Sequence, residues 1–157
     1  MCSLSSEITP TTVDVDTVRS KINDSSVRLI DVRREEDYSQ GHIPNAVNLP
    51  LASLLSGDSP ESVVKLFEEM GIADDTKVVA YDDTFGALAS RVAWTLQYIG
   101  HKNVALLEVT YSQWKELGLK TSTEKPNIQP AKHSLNLNPD IMATAEYLEN
   151  AKEKDNV

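Results

Sequence analysis

Short apolar segments alternate with helical patterns along most of the chain, and this alternation limits the available folds more than any other feature. Four apolar segments have the length of buried strands, at 27–32, 46–48, 77–81 and 104–107. Six helical patterns lie before, between and after them, at 16–22, 35–40, 51–55, 59–70, 88–99 and 111–117. Helices that connect parallel strands cover both faces of a sheet. The sequence therefore predicts an α/β domain with a parallel central sheet and helices on both faces.

The character of the chain changes on either side of this pattern. Residues 1–12 are polar, and we expect a flexible tail there. The domain itself is expected over 13–118. A linker is expected over 119–138, because this stretch contains two prolines and lacks apolar periodicity. The helical pattern of 139–157 echoes that of the first helix, which predicts the start of a truncated second domain.

Composition excludes several classes of function. A net charge of −9 argues against nucleic-acid binding through a basic face. No apolar run approaches the roughly 18–20 residues that cross a membrane, and the N-terminus lacks the features of a signal peptide. The single cysteine, Cys2, excludes an internal disulfide. We expect a cytoplasmic domain with no nucleic-acid or membrane partner, no cofactor and no metal.

The segment from Val78 to Arg91 reads VVAYDDTFGALASR, which is a strand, a loop and the start of a helix. Ligands bind at the carboxyl ends of parallel strands, and this loop lies at such an end. The first loop positions are Asp82 and Asp83. We interpret them as side chains that cap the helix or close the loop, with anion or metal binding as the alternative. A pair of nucleophilic carboxylates needs Asp-x-Asp spacing, which adjacent residues do not provide.

Two other sites are suggested by residue types and spacing alone. Asp31 and Arg33 are spaced to form a structural ion pair, with Glu36 as a candidate second partner for Arg33. His42 lies in the loop GHIPN, where a histidine commonly ties a loop to a strand through hydrogen bonds.

Three groups of segments, taken together and in this order, resemble the rhodanese family. They are 29–33 (LIDVR) with Glu36 and 41–46 (GHIPNA), 79–83 (VAYDD) with 89–94 (ASRVAW), and 104–108 (VALLE) with 111–114 (YSQW). The resemblance covers about residues 10–118. The segments look in particular like the N-terminal half of two-domain thiosulfate or 3-mercaptopyruvate sulfurtransferases, and the resemblance implies the rhodanese-like fold.

The resemblance implies a chemistry that this loop lacks. The family uses a cysteine thiolate at the first loop position to carry sulfane sulfur from thiosulfate or 3-mercaptopyruvate to cyanide or another thiophile. Here that position holds Asp82, which cannot carry sulfur and repels a dianionic donor by roughly 6–7 kcal/mol at ~5 Å and an effective dielectric of about 20. We therefore interpret the loop as a vestigial active site, formed by Asp82, Asp83, Thr84, Phe85, Gly86 and Ala87.

This interpretation predicts a chain that is inactive alone and belongs to a tandem-domain sulfurtransferase. The alternative is an inactive rhodanese-like module that binds or regulates a protein. The first hypothesis implies a second rhodanese domain of the same polypeptide as partner, with His42 and Arg33 in the interdomain cleft. It also allows a homodimer of the fragment through the uncovered face. Glu108 is followed by Val109 and Thr110, where the family usually has two glycines, so we expect a loop of different shape there.

Overall fold

A five-stranded, all-parallel sheet forms the centre of the domain. The computed structural model describes residues 11–55 and 59–137. The strands, numbered along the chain, are β1 (Thr11–Val13), β2 (Val27–Asp31), β3 (Val47–Asn48), β4 (Lys77–Tyr81) and β5 (Val104–Leu107). Their order across the sheet is β1-β5-β4-β2-β3, and each neighbouring pair is parallel. The predicted α/β class with a parallel sheet is confirmed.

Within the described residues, six helices pack on this sheet. They are α1 (Val15–Lys21), α2 (Glu35–Gln40), α3 (Leu51–Leu55), α4 (Pro60–Glu69), α5 (Ala89–Tyr98) and α6 (Tyr111–Glu116). Alternate residues of the strands point to opposite faces, so the core divides into two clusters. One cluster includes Ala80 with residues of α3, α4 and α5, and the other includes Val79 with residues of α1, α2 and α6. Helices therefore cover both faces, as predicted.

The first strand begins inside the stretch that the sequence assigns to a tail. Strand β1 pairs with β5 through Thr11–Val13, so the expected tail over 1–12 overlaps the sheet by two residues. Helix α1 begins at Val15, and its cap is Asp14, whose Oδ1 accepts from the N–H of Thr17 at 2.8 Å. Three residues are too few to show the alternation of a strand in sequence. The strand forms because tertiary structure brings this segment beside β5.

The stretch expected to be a linker lies against the domain through residue 137. It contains no helix or strand, but Ile128 and Leu135 pack on the core. His42 and Ser122 exchange two backbone hydrogen bonds at 2.8 Å. The prolines and polar residues prevent helix formation without preventing attachment, because the domain supplies the hydrogen-bond partners. Residue 138 and the expected start of a second domain at 139–157 lie outside the described residues.

The loop after β5 has an ordinary backbone without glycine. Thr110 has a φ of −76° and caps α6, since its hydroxyl accepts from the N–H of Gln113 and the Gln113 side chain accepts from the N–H of Thr110. The capping box fixes the loop with ordinary backbone angles, so the conformations that only glycine adopts easily are not needed here. Within residues 11–55 and 59–137, no helix is both long and apolar enough to span a membrane.

Candidate active-site loop and cleft

The carboxylate of Asp82 lies at the centre of the loop after β4 and is only 2% exposed. Its Oδ1 accepts hydrogen bonds from the backbone N–H groups of Thr84 and Gly86, both at 3.0 Å. Its Oδ2 accepts from the N–H groups of Leu88 and Ala89 at 2.9 and 2.8 Å, and from the Thr84 hydroxyl at 2.9 Å. Four backbone donors thus converge on one side chain, and the predicted capping of the following helix is confirmed.

This arrangement is an anion site that the chain fills itself. Burial alone raises the pKa of Asp82, but the N–H donors of Ala89, Thr84 and Gly86 outweigh burial, and the pKa lies below its ordinary value. The carboxylate is therefore ionised at neutral pH. Converging backbone N–H groups bind anions in many proteins. Here their bound anion is Asp82, so an external anion finds these donors occupied.

Asp83 has a separate role on the outside of the same loop. Its carboxylate oxygens accept from the N–H of Ser112 at 2.9 Å and from the Ser112 hydroxyl at 2.8 Å. The N–H of Tyr111 donates to the carbonyl of Asp82 at 3.0 Å, so the loops after β4 and β5 are joined. The two aspartates contact different elements, which agrees with the view that they are not a nucleophile pair.

The tip of the loop carries an unusual residue. Phe85 is 84% exposed and adopts a φ of 57°, in the left-handed region that bulky side chains rarely occupy. Gly86 follows with a φ of 93°, and Ala87 completes the turn into α5. The Asp82 carboxylate holds the backbone on both sides of Phe85 and so keeps the aromatic ring at the surface.

Asp31 and Arg33 form the predicted ion pair, and both side chains are buried. The Nη2 of Arg33 lies 2.7 Å from Asp31 Oδ2, and its Nε lies 3.0 Å from Oδ1. The Tyr81 hydroxyl donates to Asp31 Oδ2 at 2.7 Å, and Arg33 Nη2 donates to the carbonyl of Gly41 at 2.6 Å. Burial, with the Asp31 charge second, raises the pKa of Tyr81 well above its ordinary value.

Glu36 does not join this ion pair, so the prediction of a second partner for Arg33 is wrong. Its carboxylate lies 3.7 Å from the guanidinium of Arg34, and both side chains are largely exposed. The guanidinium of Arg33 is turned inward because Asp31, at the end of a central strand, is completely buried.

An open cleft of about 560 Å³ lies beside the loop, between α2 and α6. Positive charge on its wall comes from Arg33, Arg34 and Lys115, and negative charge comes from Asp37 and Asp83. The guanidinium of Arg33 lies 3.9 Å from the centre of the Tyr111 ring, and Lys115 Nζ lies 5.2 Å from it. Sequence reasoning missed Tyr111 and Lys115 because only the fold brings the start of α6 next to Arg33.

His42 does not line this cleft, and its predicted position at a boundary with a second domain stays a prediction. Its side chain is fully buried and stacks on the Tyr38 ring at 3.9 Å. Nδ1 contacts the carbonyl of Tyr38 at 3.0 Å, and Nε2 contacts the carbonyl of Glu124 at 2.7 Å. The side chain therefore ties its loop to the end of α2 and to the segment around residue 124, rather than to a strand. In the part of the chain that the structure describes, no group of three or more metal-ligating side chains is placed to hold an ion.

The parallel sheet and the loop of converging N–H groups define an α/β domain with an anion site after a central strand. The sequence profile of the Rhodanese-like domain family matches residues 14–117, and the chain belongs to that family.

Several curated relatives and solved structures are similar to this chain. The sulfur carrier protein TtuD of Thermus thermophilus is 33% identical over 132 residues, which cover 78% of this chain and 46% of that protein. The thiosulfate sulfurtransferase of Rattus norvegicus is 27% identical, with 88% of this chain and 53% of that protein covered. The fold matches the 3-mercaptopyruvate sulfotransferase SseA of Escherichia coli with a TM-score of 0.74 and 22% identity, over 83% of this chain and 58% of that one. The chain thus spans about half the length of these relatives.

Proposed function

We propose that this chain is the non-catalytic rhodanese domain of a longer, tandem-domain sulfurtransferase. The full-length reaction is the transfer of sulfane sulfur from thiosulfate or 3-mercaptopyruvate to cyanide or another thiophile. The class of reaction is supported by similar proteins that are named as a sulfur carrier and a thiosulfate sulfurtransferase. Their length, about twice the matched part, supports a longer protein with a second domain. The single observation that carries the proposal is the position of Asp82, whose carboxylate occupies the donors that would otherwise receive an anionic group.

The chemistry follows from this occupancy. A persulfide forms only on a thiol, and a carboxylate oxygen has no stable counterpart that carries sulfur. The loop N–H groups lower the pKa of a thiol only when the thiolate can reach them, and here they already bind Asp82. An incoming dianionic donor also meets the fixed negative charge of Asp82 and, at the loop surface, that of Asp83. The sulfur-carrying cysteine is therefore assigned to another domain.

We expect purified chain 1–157 to show no turnover of thiosulfate and cyanide above the reaction without protein. A Cys2→Ser variant provides the control for adventitious thiol chemistry. In that background, Asp82→Cys should gain one sulfur atom after incubation with thiosulfate, detected by intact-mass spectrometry. Asp83→Cys, which places the thiol outside the ring of N–H donors, should gain none. Turnover that persists in Cys2→Ser would contradict the proposal.

A second candidate function rests on Phe85. An exposed aromatic ring held in a left-handed backbone at a loop tip is costly, and such strain is typical of recognition sites. It favours an inactive module that binds a protein partner. The coding sequence beyond Val157 distinguishes the two candidates. A continuation of the form LLDVR, with a cysteine-led loop about 50 residues later as the spacing of Asp31 and Asp82 suggests, supports the tandem sulfurtransferase.

We also propose the second rhodanese domain as the partner of this one, with Arg33 and its cleft near their boundary. Without that domain, the fragment is expected to dimerise weakly through an uncovered apolar face. Leu55, the last residue of α3, is 57% exposed, and Leu117, directly after α6, is 60% exposed. The two helices pack on opposite faces of the sheet.

Light scattering at increasing protein concentration should show a dimer of the fragment. One of the two substitutions Leu55→Lys and Leu117→Lys should suppress this dimer, and the other should not. The variant that suppresses it identifies the face. A mass that stays monomeric at every concentration would contradict the expected dimer.

A further inference from the structure

Residues 119–137, which we call the strap, lie along the domain in the manner of a bound peptide. In its last part, Ala131, His133 and Leu135 are buried or half-buried, and the residues at 132, 134 and 136 are exposed. This alternation is typical of an extended chain with one side against a surface. Ile128 and Leu135 pack on the core cluster that includes residues of α3, α4 and α5. The strap therefore has an inward and an outward side.

The folded domain holds the strap through hydrogen bonds to the main chain of the strap. Glu68, in the last turn of α4, accepts from the N–H of Ala131 with its carbonyl at 2.9 Å. Its Oε2 accepts from the N–H of His133 at 2.8 Å. The carbonyl of Ile99, after α5, accepts from the N–H of Asn136 at 3.0 Å. Bonds of this kind supply affinity for an extended peptide whatever its side chains are.

Side-chain contacts add selectivity for the sequence of the strap. Asp74 Oδ1 accepts from the N–H of Ser134 at 3.0 Å and from the Ser134 hydroxyl at 2.7 Å. The two apolar anchors at 128 and 135 fill separate places on the core cluster. Main-chain bonds together with spaced side-chain anchors are the means by which domains recognise peptide segments.

Two glycines let the main chain of the strap approach closely. A Cβ at Gly71 would lie 2.8 Å from the Ile128 side chain and 3.0 Å from the Gln129 carbonyl, and one at Gly100 would collide with the main chain of Asn136. Both glycines also have positive φ values, 77° and 101°, which other residues rarely adopt. The surface beneath the strap is therefore complementary to a peptide main chain. We call this surface the groove, and it includes Glu68, Gly71, Asp74, Ile99 and Gly100.

The strap begins at an exposed turn after α6. Leu117 is 60% exposed, and Gly118 is exposed with a φ of 75°. Among the described residues, no atom lies within 4 Å of the position that a Cβ at Gly118 would take. A change of backbone direction at Gly118 therefore meets no steric obstacle. Such a change directs the strap away from its own groove and toward that of a neighbouring molecule.

We propose that the groove is a peptide-binding site whose partner in trans is the strap of a second copy of this chain. The contacts between strap and groove are the same in the monomer and in the exchanged dimer, so the two forms differ mainly at the turn around Gly118. Tethering gives the strap of the same chain a high effective concentration, which favours the monomer in dilute solution. Exchange therefore increases with protein concentration. The exchanged dimer differs from a dimer formed through an exposed apolar face, because it depends on the strap and the groove.

Peptide binding to the chain 1–157 tests the groove. Leu135→Asp removes one apolar anchor and should release the strap from its own groove. A fluorescent synthetic peptide with the sequence of 119–137 should then bind at least about tenfold more tightly than it binds the wild-type chain, whose groove is filled. Fluorescence anisotropy measures both affinities. Leu137→Asp is the matched control, because Leu137 is 38% exposed, and this variant should bind the peptide no better than the wild type.

A second pair of substitutions locates the bound peptide. Glu68→Ala, added to Leu135→Asp, removes the acceptor for the N–H of His133 and should weaken peptide binding roughly fivefold. Glu69→Ala is the control one position away, at an exposed side chain, and should leave the affinity unchanged. A folded Leu135→Asp chain that does not bind the peptide, or equal effects of the two alanine substitutions, would overturn the proposal.

Disulfide trapping tests exchange between copies without altering a packed residue. In a Cys2→Ser background, one chain carries Ser134→Cys and another carries Asp74→Cys, at two exposed side chains that are in contact across the strap and the groove. The two chains are incubated together at increasing concentration and then oxidised. A disulfide between unlike chains forms efficiently only when the strap of one chain lies in the groove of the other.

The yield of unlike pairs should exceed that of like pairs by at least about tenfold, because exchange holds the two thiols at a high effective concentration. The excess should increase with protein concentration. Asp75→Cys, at an exposed position next to Asp74, replaces Asp74→Cys in the matched control and should abolish the excess. Equal yields of unlike and like pairs at every concentration would overturn the assignment of a second copy as the partner.

Discussion

Replacing Asp82 with alanine should lower the free energy of unfolding by about 3–5 kcal/mol. The side chain is 2% exposed and accepts four backbone hydrogen bonds, so the substitution leaves four N–H donors around an empty space. Each unsatisfied buried donor costs about 1–3 kcal/mol. The total stays below their sum, because Thr84 and Phe85 are exposed and water can reach part of the space. Urea unfolding followed by circular dichroism measures the change.

The pH dependence gives this prediction a specific signature. The pKa of Asp82 in the folded domain lies below its ordinary value, so its contribution to stability is complete above about pH 4. The contribution is lost as the pH falls through the folded-state pKa. The difference in unfolding free energy between wild type and Asp82→Ala should therefore shrink in acid.

Asp83→Ala is the matched control, one position away with the same chemical change. It removes two bonds to Ser112 at an exposed site and should cost about 1 kcal/mol, as for an ordinary helix cap. Equal effects of the two substitutions, or an Asp82→Ala variant as stable as the wild type, would show that the N–H groups do not depend on this carboxylate.

The sequence predicts elements that carry their own local signal. Apolar runs predict the strands β2, β4 and β5, and Ser59 predicts the start of α4. The structure places these elements within one or two residues of the prediction. The capping role of Asp82 is likewise predictable, because aspartate before a helix start is a preferred acceptor for the first N–H groups of the helix.

The remaining features depend on contacts between distant parts of the chain. Strand β1 exists because β5 offers it an edge, and three residues cannot show a period of two. His101 and His133 are 32 positions apart and show no relation in sequence, yet His101 Nδ1 lies 2.9 Å from His133 Nε2. His42 is held by residues 122 and 124, about 80 positions later in the chain, and no local pattern indicates this contact. Polar, proline-containing stretches predict an absence of helix, and they do not indicate whether the backbone lies free or attached.

The ion pair of Asp31 and Arg33 supports the second large prediction. Asp31→Ala should lower the free energy of unfolding by about 3–5 kcal/mol, because it leaves a buried guanidinium without its counter-charge. Arg33→Met in the same molecule removes that uncompensated charge, and methionine retains the volume of the aliphatic stem against Tyr111.

The double variant should therefore be about 1–2 kcal/mol more stable than Asp31→Ala alone, although it loses one more side chain. The recovery remains partial, because the Tyr81 hydroxyl and the Gly41 carbonyl lose their partners as well. A double-mutant cycle by urea unfolding measures the coupling, with Arg33→Met alone as the fourth corner. Additive effects would mean that the two charges act independently, which a separation of 2.7 Å at buried positions does not allow. Because Arg33 also borders the cleft, the coupling energy measures how strongly Asp31 holds this charge in place.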